Sequence, residues 1–183
     1  MIKINYEKRW DNLKSSLGER DAFVAALPGN TRYLANSESP PGTPPSSTMN
    51  YVVIPKKGEP IAITSSLEEH RCRHESSVND IRCWTTYPDI KSDGKSALEI
   101  LKSSLKEIKA KQIFADTKVS LGRSFKSSVS SNLNELRSIK SEAELARIKK
   151  AIKQSDDGQR FAYNLVESGE GLSEKEVRSE IDY

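Results

Sequence analysis

Ala22-Phe23-Val24-Ala25-Ala26-Leu27 is the longest apolar run in the chain, and its reading decides the fold. It is bounded by Glu19-Arg20-Asp21 on one side and Pro28-Gly29-Asn30 on the other. Six residues are too few for a membrane span or for an independent helix, and the run has no polar face. A continuous apolar segment between charged and turn-forming flanks reads as a strand buried on both faces, and a strand of that kind belongs to a sheet covered by helices.

Working outward, the N-terminal side carries Tyr6, Trp10, Leu13 and Leu17 at spacings of four, three and four, the stripe of an amphipathic helix that Gly18 is placed to end. On the other side Pro28-Gly29-Asn30 reads as a turn, and Thr31-Arg32-Tyr33-Leu34 as a short structured turn before the loop Asn36–Thr48. Pro40, Pro41, Pro44 and Pro45 exclude both helix and central strand from that loop. Its length exceeds an ordinary connection, as expected of a segment that covers or gates something.

Met49–Ile54 and Ile61–Ile63, joined by Lys56-Lys57-Gly58-Glu59, read as a β-hairpin. Ser65 or Ser66 is expected to cap a helix over Leu67–Glu75. Ile81–Thr85 alternates as a strand, and Ala97, Leu98, Leu101, Leu105 and Ile108 mark a helix. Gln112–Asp116 returns as a strand, and Phe125, Val129 and Leu133 predict one more helical piece. The expected class is α/β, a mixed sheet of five or six strands flanked by helices.

The C-terminal part differs. Ser141-x-x-Glu144 and Ser173-x-x-Glu176 are capping boxes. Leu145, Ile148, Ile152, Tyr163 and Val166 share one helix face that Ser155 and Gln159 interrupt, so this helix is expected to find its apolar partner elsewhere. The second capped helix has made barely two turns when the chain stops at Tyr183, which reads as truncation.

Composition excludes several classes of function. The 183 residues include 29 basic and 26 acidic side chains, for a net charge of +3 without a long basic block. Nucleic acid is therefore not an expected ligand. Mean hydropathy is −0.65, and the segment Met1–Lys8 lacks the apolar core of a signal peptide. Cys72 and Cys83 form no CxxC pair, so a disulfide framework is not expected and a reducing, cytoplasmic setting with no membrane partner is.

Leu136-Arg-Ser-Ile-Lys-Ser-Glu-Ala-Glu-Leu145 resembles the "LR-x-IKS-x-x-E-[IL]" junction of the creatinase/prolidase/aminopeptidase P metallopeptidases. Asn30-Thr31-Arg32-Tyr33-Leu34 is similar to that family's "N-[IV]-RYL-[TS]-G" segment, although Ala35-Asn36 replaces the usual Thr/Ser-Gly pair. Ala151 and the stretch 169–176 resemble the continuation of the family's first catalytic helix pair. The resemblance implies a creatinase N-terminal domain over residues 1–138, then a linker and the opening helices of a "pita-bread" catalytic domain over 139–183. It further implies a homodimeric, cytoplasmic parent acting on short proline-containing peptides. Two divalent metal ions (manganese, cobalt or zinc) would be held by two Asp, one His and two Glu of the missing catalytic domain. The N-terminal domain would support dimerisation and gate the cleft. The alternative is a peptide- or protein-binding module of a catalytically inactive family member, and the sequence beyond Tyr183 discriminates the two.

No catalytic or metal-ligating residue is assigned within the chain itself. His70 and His74 share a helix face, but Glu69 and Glu75 do not align with them, and Arg71 and Arg73 add positive charge; a solvated surface is the preferred reading. Asp156 and Asp157, adjacent on a helix, point about 100° apart and make no metal pair. Cys83 beside Trp84 suits a buried thiol, and Lys91, Lys95, Lys102, Lys106 and Lys109 an outer helix face. Arg32 and Tyr33, with Ser37 and Glu38 at the start of the long loop, are the candidate cleft or gating residues. Against that stands a structural role, with Tyr33 packed in the core and Arg32 satisfying a loop carboxylate.

Overall fold

The computed structural model describes residues 3–36, 51–168 and 171–182. They form two compact units, a larger one of Asn5–Ile139 and a smaller one containing the described residues of Lys140–Tyr183.

In chain order the larger unit contains α1 (Tyr6–Ser15), β1 (Asp21–Ala25), α2 (Pro28–Ala35), β2 (Tyr51–Pro55), β3 (Ile61–Ser65) and α3 (Glu69–Glu75). It continues with β4 (Asp80–Trp84), α4 (Ala97–Glu107), β5 (Gln112–Ala115), β6 (Lys126–Val129) and α5 (Asn132–Ser138). The smaller unit holds α6 (Glu142–Glu167) and α7 (Glu174–Asp182).

The six strands form one mixed sheet in the order β4-β3-β2-β1-β5-β6. The pairs β1–β2 and β2–β3 are antiparallel, while β1–β5, β3–β4 and β5–β6 are parallel. The apolar run supplies β1 near the middle of the sheet, and its alternate residues serve opposite faces. Phe23 and Ala25 join Trp10, Leu13, Leu34, Cys72 and Leu133 on the face covered by α1, α2, α3 and α5. Ala22 and Val24 join Ile100, Leu101 and Leu105 of α4 on the other. Because both faces are dry, a polar residue within β1 would be buried whichever way it pointed.

Several local expectations give way to longer-range forces. Helix α1 ends at Ser15, before Gly18, and Gly18 lies so close to the Asp21 carboxylate that a Cβ there would meet Oδ2 at 2.7 Å. Pro28-Gly29-Asn30 is the first turn of α2, because Pro28 at N1 has no N–H to lose there. Glu68 is the N-cap of α3, and neither Ser65 nor Ser66 caps it with a side chain. The helical piece expected from Phe125 is a strand followed by a helix: β6 pairs with β5 from Gln112↔Lys126 to Ala115↔Val129. Backbone pairing with β5 outweighs the weak apolar spacing that predicted a helix. In the hairpin, Gly58 takes φ +97°, open to glycine at no steric cost, and its carbonyl accepts from Lys14 Nζ at 3.0 Å.

In the smaller unit both capping boxes are present. Ser141 Oγ accepts from the Glu144 N–H and the Glu144 carboxylate accepts from the Ser141 N–H; Ser173 and Glu176 repeat the pattern. Leu145, Ile148, Ile152, Tyr163 and Val166 of α6 are all exposed.

Candidate functional site

The parallel pairing of β1 with β5 brings their C-terminal ends side by side, where an α/β sheet presents functional groups. Asp116 directly follows β5, and its N–H donates to Val24 O at 3.3 Å. Its carboxylate therefore faces the start of α2. Oδ1 accepts from the Ala26 N–H at 2.9 Å, and Oδ2 accepts from the Leu27 N–H at 3.1 Å and from Asn30 Nδ2 at 2.9 Å. Helix α2 has no side-chain cap at Leu27; Asp116 instead fixes the two residues that lead into the helix and the side chain of Asn30 in its first turn, and it places a negative charge where the helix N-terminus favours one.

Asn30 passes the network on, since its Oδ1 accepts from Arg137 Nη1 of α5. The Arg137 guanidinium lies 5.7 Å from the Tyr33 ring centroid, and the Arg9 guanidinium lies 3.9 Å from the same centroid. Arg9 also sits 4.9 Å from the Tyr6 ring and donates to Tyr33 O at 2.6 Å. A buried guanidinium so placed gains cation–π attraction along with a charge-assisted hydrogen bond.

The C-terminal carbonyls of α2, which no intrahelical donor reaches, are satisfied in the same manner. Leu34 O accepts from Trp10 Nε1 at 2.8 Å, and Ala35 O from the Ser77 N–H at 2.9 Å and Ser76 Oγ at 3.0 Å. Asn36 then turns the chain in the left-handed region at φ 59°. Its side chain accepts from Tyr6 OH at 2.7 Å and donates to Glu75 O at 2.9 Å, joining α1 and α3 to the end of α2. Helix α2 is thus clamped at both ends by residues remote in sequence.

Of the sequence candidates, Tyr33 is half-buried against the core and held between two guanidiniums, while Arg32 is exposed on the next face of α2. Ser37 and Glu38, with the loop from residue 37 through Thr48, lie outside the described residues. Asn30, Asp116, Arg137, Arg9 and Asn36 were missed by sequence reasoning. Asp116, a carboxylate directly after an apolar strand, was the one legible signal, and its partners 86 to 90 positions away were not.

Three other polar groupings stand apart from this clamp. Arg82 on the edge strand β4 bonds Asp80 at 2.8 Å, Glu107 at 2.6 Å and Ser104 Oγ at 3.0 Å, fastening α4 to the sheet. Its hydrogen bonds to Asp80 and then Glu107 hold its proton more tightly than usual, and Arg82 in turn lowers the Glu107 carboxyl. At the opposite end of β1 a cavity of about 320 Å³ is lined by Glu19, Arg20, Asp21, Lys56, Lys57 and Lys109 among others. Glu19 pairs with Lys57 at 2.5 Å, and that hydrogen bond lowers its carboxyl. His70 and His74 lie on the outer face of α3. Among the described residues no three His, Cys, Asp or Glu side chains converge as a catalytic or structural zinc site would need.

No protein-family model and no curated protein matches the sequence. Solved structures do match in fold. The chain is similar to an Xaa-Pro dipeptidase from Bacillus anthracis at 20% identity and a TM-score of 0.68, over 97% of this chain and 48% of that one. A prolidase from Thermococcus sibiricus gives 20% identity and a TM-score of 0.69, over 100% of this chain and 50% of that one. The creatinase/prolidase N-terminal domain of an X-Pro dipeptidase from Streptococcus pyogenes matches at 14% identity and a TM-score of 0.51, over 72% of this chain and 98% of that one. The chain spans about half the length of the dipeptidase and prolidase it matches. The likeness is one of fold, and the six-stranded mixed sheet with its flanking helices is that of the creatinase/prolidase N-terminal domain.

Proposed function

We propose that this chain is the non-catalytic N-terminal domain of a metal-dependent Xaa-Pro peptidase of the creatinase/prolidase family, followed by the first helices of its catalytic domain. Coverage carries the reading: 97% of the chain superposes on only 48% of a dipeptidase. Two local features support it. The junction-like segment Leu136–Leu145 spans the boundary between the two compact units, and α6 beyond it exposes an apolar stripe suited to burial against further protein.

On this reading the described residues contribute positioning. They offer no group of three metal ligands, so the two metal ions of such an enzyme do not fit them. The clamp around α2 fixes the base of the segment 36–48, which would narrow the cleft and favour short proline-containing peptides. The parent would be a cytoplasmic homodimer. Among the described residues no helix is long and apolar enough to cross a membrane.

The test extends the reading frame past Tyr183 and compares the longer polypeptide with the 183-residue chain on Xaa-Pro dipeptides, with manganese, cobalt or zinc. The longer protein should turn over substrate and the present chain should not. Shortening the segment 36–48 in the longer protein should admit longer peptides. Turnover that tracks the 183-residue chain through purification would refute the assignment. A continuation lacking two Asp, one His and two Glu as ligands would instead make the chain a binding module.

A further inference from the structure

Helix α3 turns one face to solvent, and that face carries both histidines of the chain. His70 and His74 are one helical turn apart, with rings inclined by 16° and centroids 6.3 Å apart. Cys72 between them points the other way, fully buried, with its thiol 3.6 Å from Thr64 Oγ1.

The sequence raises two objections to a metal here, and the structure answers the first. Arg71 Nε lies 3.0 Å from Glu75 Oε1, and Arg73 Nη2 lies 2.8 Å from Glu69 Oε1. Arg73 reaches on to Ile81 O at 3.2 Å. Each guanidinium is thus paired with a carboxylate one helical turn away, so each ion pair carries no net charge beside the imidazoles.

The second objection, the lack of a third protein ligand, defines the chemistry. Two imidazoles with water in the remaining positions suit zinc, nickel or copper, and not magnesium or calcium, which take oxygen ligands. The spacing is that of the histidine pair in helical zinc motifs, where the residue after the first histidine is the general base. Arg71 stands there, and a guanidinium accepts no proton, so the arrangement binds without hydrolysing.

Geometry allows it. A zinc–nitrogen bond of about 2.0 Å puts each ring centroid about 3 Å from the ion, so two rings sharing it tetrahedrally sit about 5 Å apart. A rotamer change at the two exposed side chains would close the observed 6.3 Å.

We propose that His70 and His74 form a surface chelate for a divalent transition-metal ion of the imidazole-preferring class. The inference does not depend on the peptidase reading.

The test is titration of the 183-residue chain with zinc chloride and with nickel chloride, followed by calorimetry and by imidazole NMR; with two histidines in the chain, both signals are assignable. One ion should bind per chain and move both imidazole signals, while magnesium moves neither. His70→Asn and His74→Asn should each weaken binding by roughly tenfold or more, because either leaves a single imidazole with no chelate partner. Unchanged far-ultraviolet circular dichroism would show that the variants fold. Absence of saturable binding below about 1 mM zinc, or binding that survives both substitutions, would overturn the proposal.

Discussion

Replacing Asp116 by alanine removes three hydrogen bonds at once, from the Ala26 N–H, the Leu27 N–H and Asn30 Nδ2. It also removes the negative charge beside the start of α2, where Leu27 provides no side-chain cap. A negative charge near a helix N-terminus contributes about 0.3–1 kcal/mol, and a hydrogen bond to a charged group contributes about 1.5–3 kcal/mol net. The Leu27 N–H is close enough to solvent to regain water, so the losses do not sum in full. The expected cost is about 2–4 kcal/mol. With a urea dependence of about 2 kcal/mol per molar for a domain of this size, the midpoint should fall by about 1–2 M. Trp10 is a suitable reporter, because its indole N–H bonds Leu34 O at the far end of α2. Asp116→Asn keeps one acceptor oxygen but not the charge, and should cost about 1 kcal/mol. A double-mutant cycle with Asn30→Ala should give a coupling of about 0.5–1 kcal/mol. A midpoint shift below about 0.3 M for Asp116→Ala, or equal shifts for the alanine and asparagine variants, would refute the clamp as the source of α2's stability.

Two further predictions concern the core and the smaller unit. Burial, aided by Glu69, pushes the Cys83 thiol from its ordinary 9.0 up to about 12. Below 9 it is neutral in both folded and unfolded chains and contributes nothing; between 9 and 12 only the unfolded chain releases the proton, so stability falls as pH rises. Cys83→Ala should flatten that fall by up to about 1.4 kcal/mol per pH unit in urea titrations, and an unchanged slope would contradict the shift. In hydrogen exchange, the amides of α6 should open at lower free energy than those of β1, because Leu145, Ile148 and Ile152 are 44%, 43% and 55% exposed while Ala22–Ala25 are fully buried. Equal protection in the two elements would count against the exposed stripe.

Where a residue's own neighbours in the chain carry the signal, the sequence was sufficient. The unbroken apolar run announced a central strand, the stripe Ala97–Ile108 announced α4, and the two Ser-x-x-Glu boxes marked helix starts that the structure shows hydrogen-bonded as expected. These depend on period and capping, which act within one or two turns. The α/β class followed from them.

What only the tertiary structure decided depends on partners far along the chain. Pro28–Ala35 is held as a helix by Asp116, just after β5, which fixes Ala26, Leu27 and the Asn30 side chain at its start, while Arg9, Trp10 and Ser76 satisfy its last carbonyls. Lys126–Val129, exposed at every position, is a strand because β5 offers it a backbone ladder. Tyr33 was singled out by sequence, but its place between Arg9 and Arg137 was set by α1 and α5 meeting over α2. The charges of Arg71 and Arg73, adverse to a cation when read as letters, are each paired with a carboxylate that helix geometry puts in reach. A short polar segment holds too little free energy of its own to choose a conformation, so the choice falls to the hydrogen bonds that the assembled sheet and helices supply.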